Sequence, residues 1–541
     1  MDVEDDRAGS PPEMRWDGWG DPERATDLPR AVRTLLPLML GRVRRPDPAP
    51  AIGAVELAAS RLTGEDVDAL GAVVGPDRVL TDTETRIRRS GGKSTPDLLH
   101  RRAAHQEAPD AVVRPADHEQ VRETLRTAAE RDLAVVPFGG GTSVVGGVDP
   151  DAGAHRAVIA LDLALLSGLI GLDEVSGEAV LFAGTRAPEA ERLLAAHGFE
   201  LGHYPQSFRY ATIGGFAAAR SSGQNSAGYG RFDAMVTGIR MATPTGDLDL
   251  GRAPGSAAGP DLTRLLLGSE GSFGVITEVR VRVHRTPQER IVESWTFPDF
   301  VTGVDALRQV VQRGGTPTVI RLSDEAETGV SLAQLGRIGK VLAKGASAVT
   351  VFEGEDAERR RERTAALIAE AGGSSTGRGD AEEWMRTRFD GPYLRDALLD
   401  AGVFCETLET ATTWSNLHAL RTAVTAALKD GFSDAGAKSF VMCHVSHVYP
   451  TGASLYFTVL AGIKGEQLGV WDTVKHRAGD AIVAAGGTIT HHHAVGRDHA
   501  PWLADEIGET GIRILRAVKR ELDPQGIMNP GVLVPAERSG A

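Results

Sequence analysis

The chain has 541 residues, which is too long for a single hydrophobic core, so we expect two or three domains. Its formal net charge of −14 disfavours broad binding to nucleic acid or to an anionic membrane. The two cysteines, Cys405 and Cys443, cannot form a disulfide framework or a cysteine-based zinc site. No apolar run is long enough for a transmembrane helix, and the acidic N-terminus does not resemble a signal peptide, so we predict a cytoplasmic protein.

Residues 1–105 are charged and interrupted by prolines, which predicts a partly helical N-terminal extension. Within it, Ser90–Thr95 (SGGKST) contains the Gly-Lys-Ser that ends a phosphate-binding P-loop. The full pattern needs a glycine five residues before Gly92, and that residue is Ile87. We therefore predict that this segment is not a P-loop.

Residues 106–285 combine helices, strands and glycine-rich turns, which predicts an α+β domain. Asp117 is a candidate helix N-cap, and the apolar residues that follow it recur with helical spacing. A second helix is predicted to begin at Pro188 and to end at Gly198. Strands are predicted at 133–138, 157–163, 178–185 and 275–283.

Residues 286–484 have fewer glycine clusters and longer helical stretches, which predicts a second domain. It contains a helix that we expect to end at Gly431 and a strand at 452–462. Residues 485–541 form a C-terminal segment with a histidine run and a long helix at 506–522.

A glycine-rich loop, PFGGGTSVVGG (Pro137–Gly147), follows the first of these strands. Glycines at this position allow the backbone N–H groups to approach a phosphate or pyrophosphate. Val144 breaks the G-x-G-x-x-G dinucleotide fingerprint, and no lysine is present for a P-loop. A tight turn without a ligand remains the alternative for this loop. Similar stretches at 210–230 and 268–279 favour a large, extended cofactor.

Three consecutive histidines, His491, His492 and His493, stand in GGTITHHHAVG. If this stretch is a strand, His491 and His493 share one face and His492 points to the other. Such an arrangement disfavours a metal site, so we predict no metal. A solvated loop and an acid/base role that also contacts a phosphate remain, and histidine can accept or donate a proton near neutral pH.

The glycine-rich segments resemble, in order and spacing, the flavin-contacting segments of the vanillyl-alcohol-oxidase type of FAD-binding fold. These segments are Pro137–Ser143 (first), Gln206–Thr212 (second), Ala219–Ser222 (third) and Glu270–Ile276 (fourth). Within that superfamily the chain resembles the alkyldihydroxyacetonephosphate synthases (alkylglycerone-phosphate synthases). The motifs that carry this resemblance are WDGWGDPE, TIGGFAAARSSG, GSEGSFGVITE, PYLRD, GASLYF and GGTITHHHAVG, which span most of the chain.

The resemblance implies a two-part FAD-binding domain of the PCMH type with an α+β substrate (cap) domain over the flavin. It implies noncovalent FAD, because the first glycine loop has neither histidine nor cysteine. Gln206 departs from the family, which commonly has an acid there. The cofactor-binding residues implied are Pro137, Phe138, Gly139, Gly140, Gly141, Thr142, Ser143, Gln206, Ser207, Thr212, Gly214, Gly215, Ala219, Arg220, Ser221, Ser222, Glu270, Gly271, Gly274, Val275 and Ile276.

The reaction implied is the replacement of the acyl group of acyl-dihydroxyacetone phosphate by a long-chain alkoxy group, without net redox change. The histidine run would take a proton from the substrate, Tyr456 would assist the departing carboxylate, and Arg395 matches a required arginine. Arg421 would contact the substrate. The partners implied are the lipid substrate and a fatty alcohol in an apolar tunnel, with a peripheral membrane contact and a homodimer left open.

Other functions stay open from the sequence. An FAD-linked oxidase or dehydrogenase of a 2-hydroxy acid or alcohol would use the same fold, because fold alone does not decide the reaction. A metal-dependent hydrolase built on the histidines and a non-catalytic flavin-binding protein are further alternatives.

Overall fold

The fold is that of a computed structural model, which describes residues 12–28, 30–41, 43, 45–334 and 345–535. Within these ranges, no helix is both long enough and apolar enough to cross a membrane.

The described residues between 12 and 106 form short elements that pack against the rest of the chain. A capping box at Thr63 begins the second helix, whose buried face contacts the sheet described next. The elements are α1 (Arg30–Leu40), β1 (Glu56–Leu57), α2 (Gly64–Val74), β2 (Val79–Leu80), α3 (Thr83–Arg88), α4 (Thr95–His100) and β3 (His105–Gln106).

The following region contains two larger sheets and one two-stranded pair. Its elements are β4 (Ala111–Val113), α5 (His118–Glu130), β5 (Leu133–Phe138), β6 (Ala157–Asp162), β7 (Leu169–Asp173), β8 (Glu178–Phe182), α6 (Ala187–Ala195), β9 (Phe199–Glu200), α7 (Ile213–Ala219), α8 (Ser226–Tyr229), α9 (Phe232–Met235), β10 (Val236–Thr243), β11 (Gly246–Leu250), α10 (Leu262–Leu266), β12 (Val275–Arg282) and β13 (His284–Arg285). One larger sheet has the order β2-β4-β6-β5, the other is antiparallel with the order β11-β10-β12-β8-β7, and the two-stranded pair is β9–β13. Strand β2 therefore joins the N-terminal residues to this region. The domain limits predicted from the sequence stay a prediction.

The helix predicted after Asp117 forms as expected. The Asp117 carboxylate accepts the N–H of Gln120 at 2.8 Å, and Val121 and Leu125 are fully buried against the first sheet. The Gln120 side chain accepts the Ala116 N–H and so does not complete a capping box. The four predicted strands are present, although those predicted at 157–163 and 275–283 end one residue earlier and that at 178–185 ends three residues earlier.

The cap region is dominated by one large antiparallel sheet. Its elements are β14 (Arg290–Phe297), α11 (Phe300–Gln312), β15 (Val319–Ser323), α12 (Glu325–Gln334), β16 (Ala346–Glu353), α13 (Ala357–Glu370), β17 (Ser374–Gly377), α14 (Gly379–Thr387), α15 (Gly391–Asp400), β18 (Phe404–Thr413), α16 (Leu417–Asp434), β19 (Lys438–Val445), β20 (Val448–Tyr449), β21 (Gly452–Gly462) and α17 (Gln467–Ala484). The strand order is β17-β14-β16-β15-β19-β21-β18, and β20 pairs with β21. The last helix, α18 (Leu503–Leu522), lies in the C-terminal segment.

The two faces of this sheet differ in chemistry. One face carries Phe404, Leu408 and Phe457, which pack in the core with α16 and α17. On the other face, the strand register places His444 of β19 and Glu409 of β18 on either side of Tyr456 of β21. Directly paired residues of antiparallel strands project to the same face, so these three polar side chains form a row.

Helix α16 does not end at Gly431, contrary to the prediction. It continues to Asp434, and Gly431 lies where α16 packs on α17. A Cβ on Gly431 would lie 3.2 Å from Val474 Cγ2, so this glycine permits close helix packing.

The C-terminal segment returns to the first region. Met528 forms a parallel bridge with Val135, and Asn529 Nδ2 donates to the carbonyls of Gly147 (3.0 Å) and Glu270 (2.7 Å). The segment therefore connects two glycine-rich turns that are far apart in sequence.

Candidate active site

The four predicted cofactor segments meet at one edge of the two sheets. A Cβ on Gly140 of the first segment would lie 2.2 Å from the carbonyl of Tyr210 in the second. Pro137 of the first segment packs on Gly271 of the fourth, and the Glu270 N–H donates to Ala218, at the end of α7. Such close approach of main chains is the reason that these positions are glycine.

A cleft beside the first segment is lined by main chain and by cations. Residues 13–16 form one of its walls, and the other lining residues include Gly139, Gly140, Gly141, Tyr210, Thr212, Asp162, Arg89, Arg101, Arg186 and Lys93. One of these arginines pairs with two acids, since Arg89 contacts Asp162 (2.9 Å) and Glu13 (2.7 Å). Glycine-rich main chain surrounded by basic side chains fits the diphosphate of FAD.

The other predicted residues of the first two segments mainly shape turns. Ser143 Oγ accepts the Gly147 N–H at 3.0 Å, and the Ser207 carbonyl accepts the N–H of Ala211 at 2.9 Å. Thr212 caps α7 by accepting the Gly215 N–H at 3.2 Å, and Gly214 packs against Ala183. The remaining members are the Phe138 ring beside Gly141, the half-buried Thr142 and the exposed Gln206.

The third segment contacts a buried histidine that the sequence did not single out. Arg220 follows Ala219 with a left-handed backbone (φ 50°), and Ser221 Oγ lies 3.1 Å from His203 Nε2. Burial lowers the pKa of His203 to about 3, so this ring is neutral at physiological pH. Ser222 is buried, and its hydroxyl has no hydrogen-bond partner among the described residues.

In the fourth segment, the side chain of Glu270 holds main chain of the C-terminal segment. Its two carboxylate oxygens each accept one N–H, from Val495 and from Gly496, both at 2.8 Å. Burial raises the pKa of Glu270 to about 7, against the lowering effect of these two donors. Gly274 (φ 154°) leads into β12, where Val275 and Ile276 are buried.

The histidine run is a bend, and this overturns the predicted alternation of faces. His491, His492 and His493 follow one another with ring centroids 5.2 Å and 4.8 Å apart. His491 Nδ1 lies 2.9 Å from His492 Nδ1. The three rings therefore belong to one cluster, because strand geometry does not apply to this loop.

Glu409 explains the bend. Its carboxylate accepts the N–H groups of His491 (2.6 Å), His492 (2.9 Å) and His493 (2.9 Å), and also the hydroxyl of Thr490 (2.8 Å). Burial would raise the pKa of Glu409, but the three histidines and the main-chain donor of His492 lower it well below the usual range. A buried anion thus fixes the main chain of the loop.

All three histidines are neutral over the physiological pH range. Burial lowers the pKa of each to about 4, although the charge of Glu409 opposes the shift. A neutral imidazole has a free lone pair and can accept a proton.

Tyr456 lies between this cluster and a second polar group. Its ring is 5.7 Å from His493 and 6.1 Å from His492, and it stacks on His444 at 4.8 Å. His444 Nδ1 contacts Glu327 (3.1 Å) and Arg321 (3.1 Å). Burial raises the pKa of Tyr456 to about 12, so its hydroxyl stays protonated and can donate.

The two predicted arginines have partners within the protein. Arg395 donates to Asp396 Oδ1 (2.8 Å) and to the Lys93 carbonyl (2.5 Å). Arg421 donates to Asp324 Oδ2 (2.9 Å) and lies over the Phe300 ring at 4.4 Å. Their assignment to the substrate stays a prediction.

Sequence reasoning missed several residues of the cluster, namely Glu409, His444, His447, Tyr449 and Arg231. His447 stacks on His491 with centroids 5.0 Å apart, and the Tyr449 hydroxyl lies 2.5 Å from His491 Nε2. The signals available were the glutamates of the strand FCETLETATT for Glu409 and the segment CHVSHVYP for His444, His447 and Tyr449, whereas Arg231 lies in neither segment. Donor atoms of His447, His491 and His492 lie within 4.8 Å of one another, a spacing that a metal ion could use.

Comparison with known proteins agrees with this geometry. Residues 109–249 match the family model of an FAD binding domain, and residues 286–533 match that of the C-terminal domain of FAD linked oxidases. An alkyldihydroxyacetonephosphate synthase of Trypanosoma brucei brucei is 32% identical over 574 aligned residues, covering 97% of this chain and 93% of that protein.

Solved structures give the same result. A structure of alkyldihydroxyacetonephosphate synthase superposes with a TM-score of 0.82 at 28% identity, covering 96% of this chain and 98% of that one. Substrate-bound p-cresol methylhydroxylase shares the fold alone, with a TM-score of 0.65 at 15% identity, covering 86% of this chain and 96% of that one. The predicted fold class, a two-part FAD-binding domain with a cap, and the predicted cofactor FAD are confirmed. The chain belongs to the alkyldihydroxyacetonephosphate synthase family of FAD-dependent enzymes.

Proposed function

We propose that this protein is an FAD-dependent alkyldihydroxyacetonephosphate synthase, which exchanges the acyl group of acyl-dihydroxyacetone phosphate for a long-chain alkoxy group. The observation that carries the proposal is the histidine loop, which Glu409 holds beside Tyr456 and Glu270 holds beside the cofactor segments. The loop thus places a proton acceptor beside a proton donor, Tyr456 of β21, at the cofactor site.

The histidine cluster supplies the base. The rings are neutral, so one of them can take a proton from the substrate carbon that exchanges its group. The imidazolium formed would be stabilised by the buried charge of Glu409, which is 3.7 Å from His492 Nδ1.

Tyr456 supplies the acid. Its hydroxyl is protonated, and donation to the ester or carboxylate oxygen of the leaving fatty acid would assist departure. FAD, when bound, supplies the electrophilic ring system that makes the exchange on the substrate carbon possible.

Several finer features belong to the same proposal. FAD is bound noncovalently, in agreement with the absence of histidine and cysteine from Pro137–Gly147. We further propose a cytoplasmic location, whereas the peripheral membrane contact and the homodimer stay open.

Two measurements test the proposal. The purified protein should be yellow or should take up added FAD, and it should convert palmitoyl-dihydroxyacetone phosphate and a labelled long-chain alcohol to the ether without consuming an electron acceptor. Absence of both flavin and flavin uptake would overturn it. Flavin bleaching by a 2-hydroxy acid or alcohol, with no ether formed, would support the alternative oxidoreductase instead.

A further inference from the structure

The arginines that the sequence assigned to the reaction do not supply a free cation to the histidine cluster. Arg395 is held by Asp396 and by a main-chain carbonyl, and Arg421 is held by Asp324. The histidines are neutral near pH 7, because burial lowers the pKa of each. An anionic substrate group therefore needs another cation.

Arg231 supplies a cation beside the histidine cluster. It precedes α9, donates from Nη2 to the Arg220 carbonyl (3.0 Å) and lies 3.3 Å from Asp233 Oδ1. Asp233 is also paired with Arg220 at 2.8 Å. Two guanidinium groups thus share one carboxylate, which leaves a net positive charge at this edge of the third cofactor segment.

Tyr449 connects this charge to the histidine loop. Its hydroxyl lies 2.5 Å from His491 Nε2 and within reach of the side chains of Arg231 and Ser222. The charge of Arg231 also contributes, after burial and the influence of neighbouring groups, to the lowered pKa of His491 and His447.

Buried polar atoms around this point are incompletely paired. Among the described residues, His447 Nδ1 has no hydrogen-bond partner, Ser222 Oγ has only a contact of poor geometry with Tyr449, and Arg231 Nε has only the 3.3 Å contact with Asp233. Ser222 is 3% exposed and His447 5% exposed, so bulk water does not satisfy them. Buried polar groups are nearly always well paired in folded proteins, and incompletely paired groups beside a cation indicate a missing acceptor.

We propose that Arg231, Ser222 and Tyr449 form an oxyanion-binding subsite beside the histidine loop, which takes a phosphate or carboxylate group of the substrate. The planar guanidinium suits either group, since it can donate two parallel hydrogen bonds. The subsite rests on the proposed function for the identity of the substrate. In that reaction, the oxyanion is the phosphate of dihydroxyacetone phosphate or the carboxylate of the departing fatty acid.

The test is a binding titration of the FAD-loaded enzyme, followed by the change in flavin absorbance and by calorimetry. The probes are dihydroxyacetone phosphate, uncharged dihydroxyacetone and octanoate. The variants are Arg231→Gln, Arg231→Lys and Ser222→Ala. Arg264→Gln is the matched control, because Arg264 donates to the Asp233 carbonyl and pairs with Asp261.

Arg231→Gln should raise the Kd of one anion at least about tenfold, as expected for loss of a charged hydrogen bond. Arg231→Lys should restore part of the affinity, Ser222→Ala should weaken binding less, and the Arg264→Gln control should bind as wild type. Weaker dihydroxyacetone phosphate binding identifies the phosphate, whereas weaker octanoate binding identifies the carboxylate. The Kd of uncharged dihydroxyacetone should be the same in all variants.

Unchanged binding of both anions by Arg231→Gln would overturn the subsite, as would failure of wild type to bind either anion. Loss of FAD from Arg231→Gln would also overturn it, because Arg231 would then serve the cofactor. Binding through Arg231 without ether formation would leave the subsite standing and sink the proposed function. Ether formation by Arg231→Gln with an unchanged KM would overturn the subsite and leave the proposed function standing.

Discussion

Glu409 shows how one buried residue can organise a reactive loop. Its carboxylate receives three successive main-chain N–H groups and a threonine hydroxyl, so the loop conformation depends on a side chain 82 to 84 residues away in the sequence. The same charge opposes the loss of basicity that burial imposes on the histidines. Glu409 is therefore a positioning residue, since its known contacts are with the loop.

We predict that Glu409→Gln lowers kcat at least about 100-fold while FAD is retained. An amide has one acceptor oxygen, so main-chain donors would be left unpaired at about 1–3 kcal/mol each. Steady-state ether formation and the flavin spectrum measure the two effects. Glu353→Gln removes another buried carboxylate of the cap, one paired with Arg290, and should keep most of the activity. Full activity of Glu409→Gln would show that the loop holds its shape without the charge.

The low histidine pKa values predict an unusual pH dependence. In kcat/KM, the histidine ionisation should not appear near pH 6.5, and an inflection near neutral pH should come instead from Glu270, whose pKa burial raises to about 7. The same lowering of the histidine pKa should also make the free energy of unfolding depend on pH. Because the folded pKa of about 4 lies below the unfolded value, the unfolded chain gains protons first, so the free energy of unfolding falls as pH drops from about 6.5 to 4. Titration of the ring signals of His491, His492 and His493 near pH 6.5, followed by NMR, would contradict the buried, neutral cluster.

At the scale of elements, the sequence predicted what local patterns determine. Apolar strands followed by glycines predicted the strand at 133–138 and the cofactor segments, because a turn and its flanking strand are neighbours in the chain. It could not predict the bend at the histidines, which depends on a distant carboxylate, or the polar row on β18, β19 and β21, which depends on strand register. The helix end predicted at Gly431 was wrong, because glycine is suited both to a helix end and to a close contact between helices.

Arg421 lies on α16, and its contacts lead us to predict a structural effect. Asp324, its partner, also accepts the N–H of Cys443 at 3.0 Å, so the pair ties α16 to β19 and to the start of α12. Arg421→Met should lower Tm by several degrees, as expected for removal of one member of a largely buried pair, and should change the KM for the acyl substrate less than about threefold. Calorimetry and steady-state kinetics separate these outcomes. A large rise in KM with unchanged Tm would instead support the substrate contact expected from the family.

At the scale of the whole molecule, residues 12–21 act as a strap between the cap and the cofactor region. Lys93 Nζ donates to the carbonyls of Arg15, Trp16 and Gly18, while the Trp19 N–H donates to Asp396 Oδ2 at 2.6 Å. The Gly-Lys-Ser that resembled a P-loop end therefore binds main chain and not a nucleotide phosphate. Residues 13–16 of the strap also form one wall of the basic cleft.

We predict that removal of residues 1–20 weakens FAD binding at least about tenfold. The truncated chain loses one wall of the cleft and leaves the Lys93 ammonium without its three acceptors. Flavin content after gel filtration and the Kd for added FAD are the measurements. Removal of residues 1–11 alone is the matched control and should retain FAD. Equal FAD affinity of both truncated chains would show that the strap is dispensable for the cofactor.

The histidine loop is fastened at both ends, to Glu409 of the cap and to Glu270 beside the flavin segments. A hinge motion that separated the two domains would pull the loop away from one carboxylate or the other and would disassemble the base. Separation of the cap from the cofactor region and proton transfer are thus mutually exclusive states. We therefore expect the cap and the cofactor region to keep one relative arrangement while the proton is transferred, so that the histidines stay beside the flavin segments.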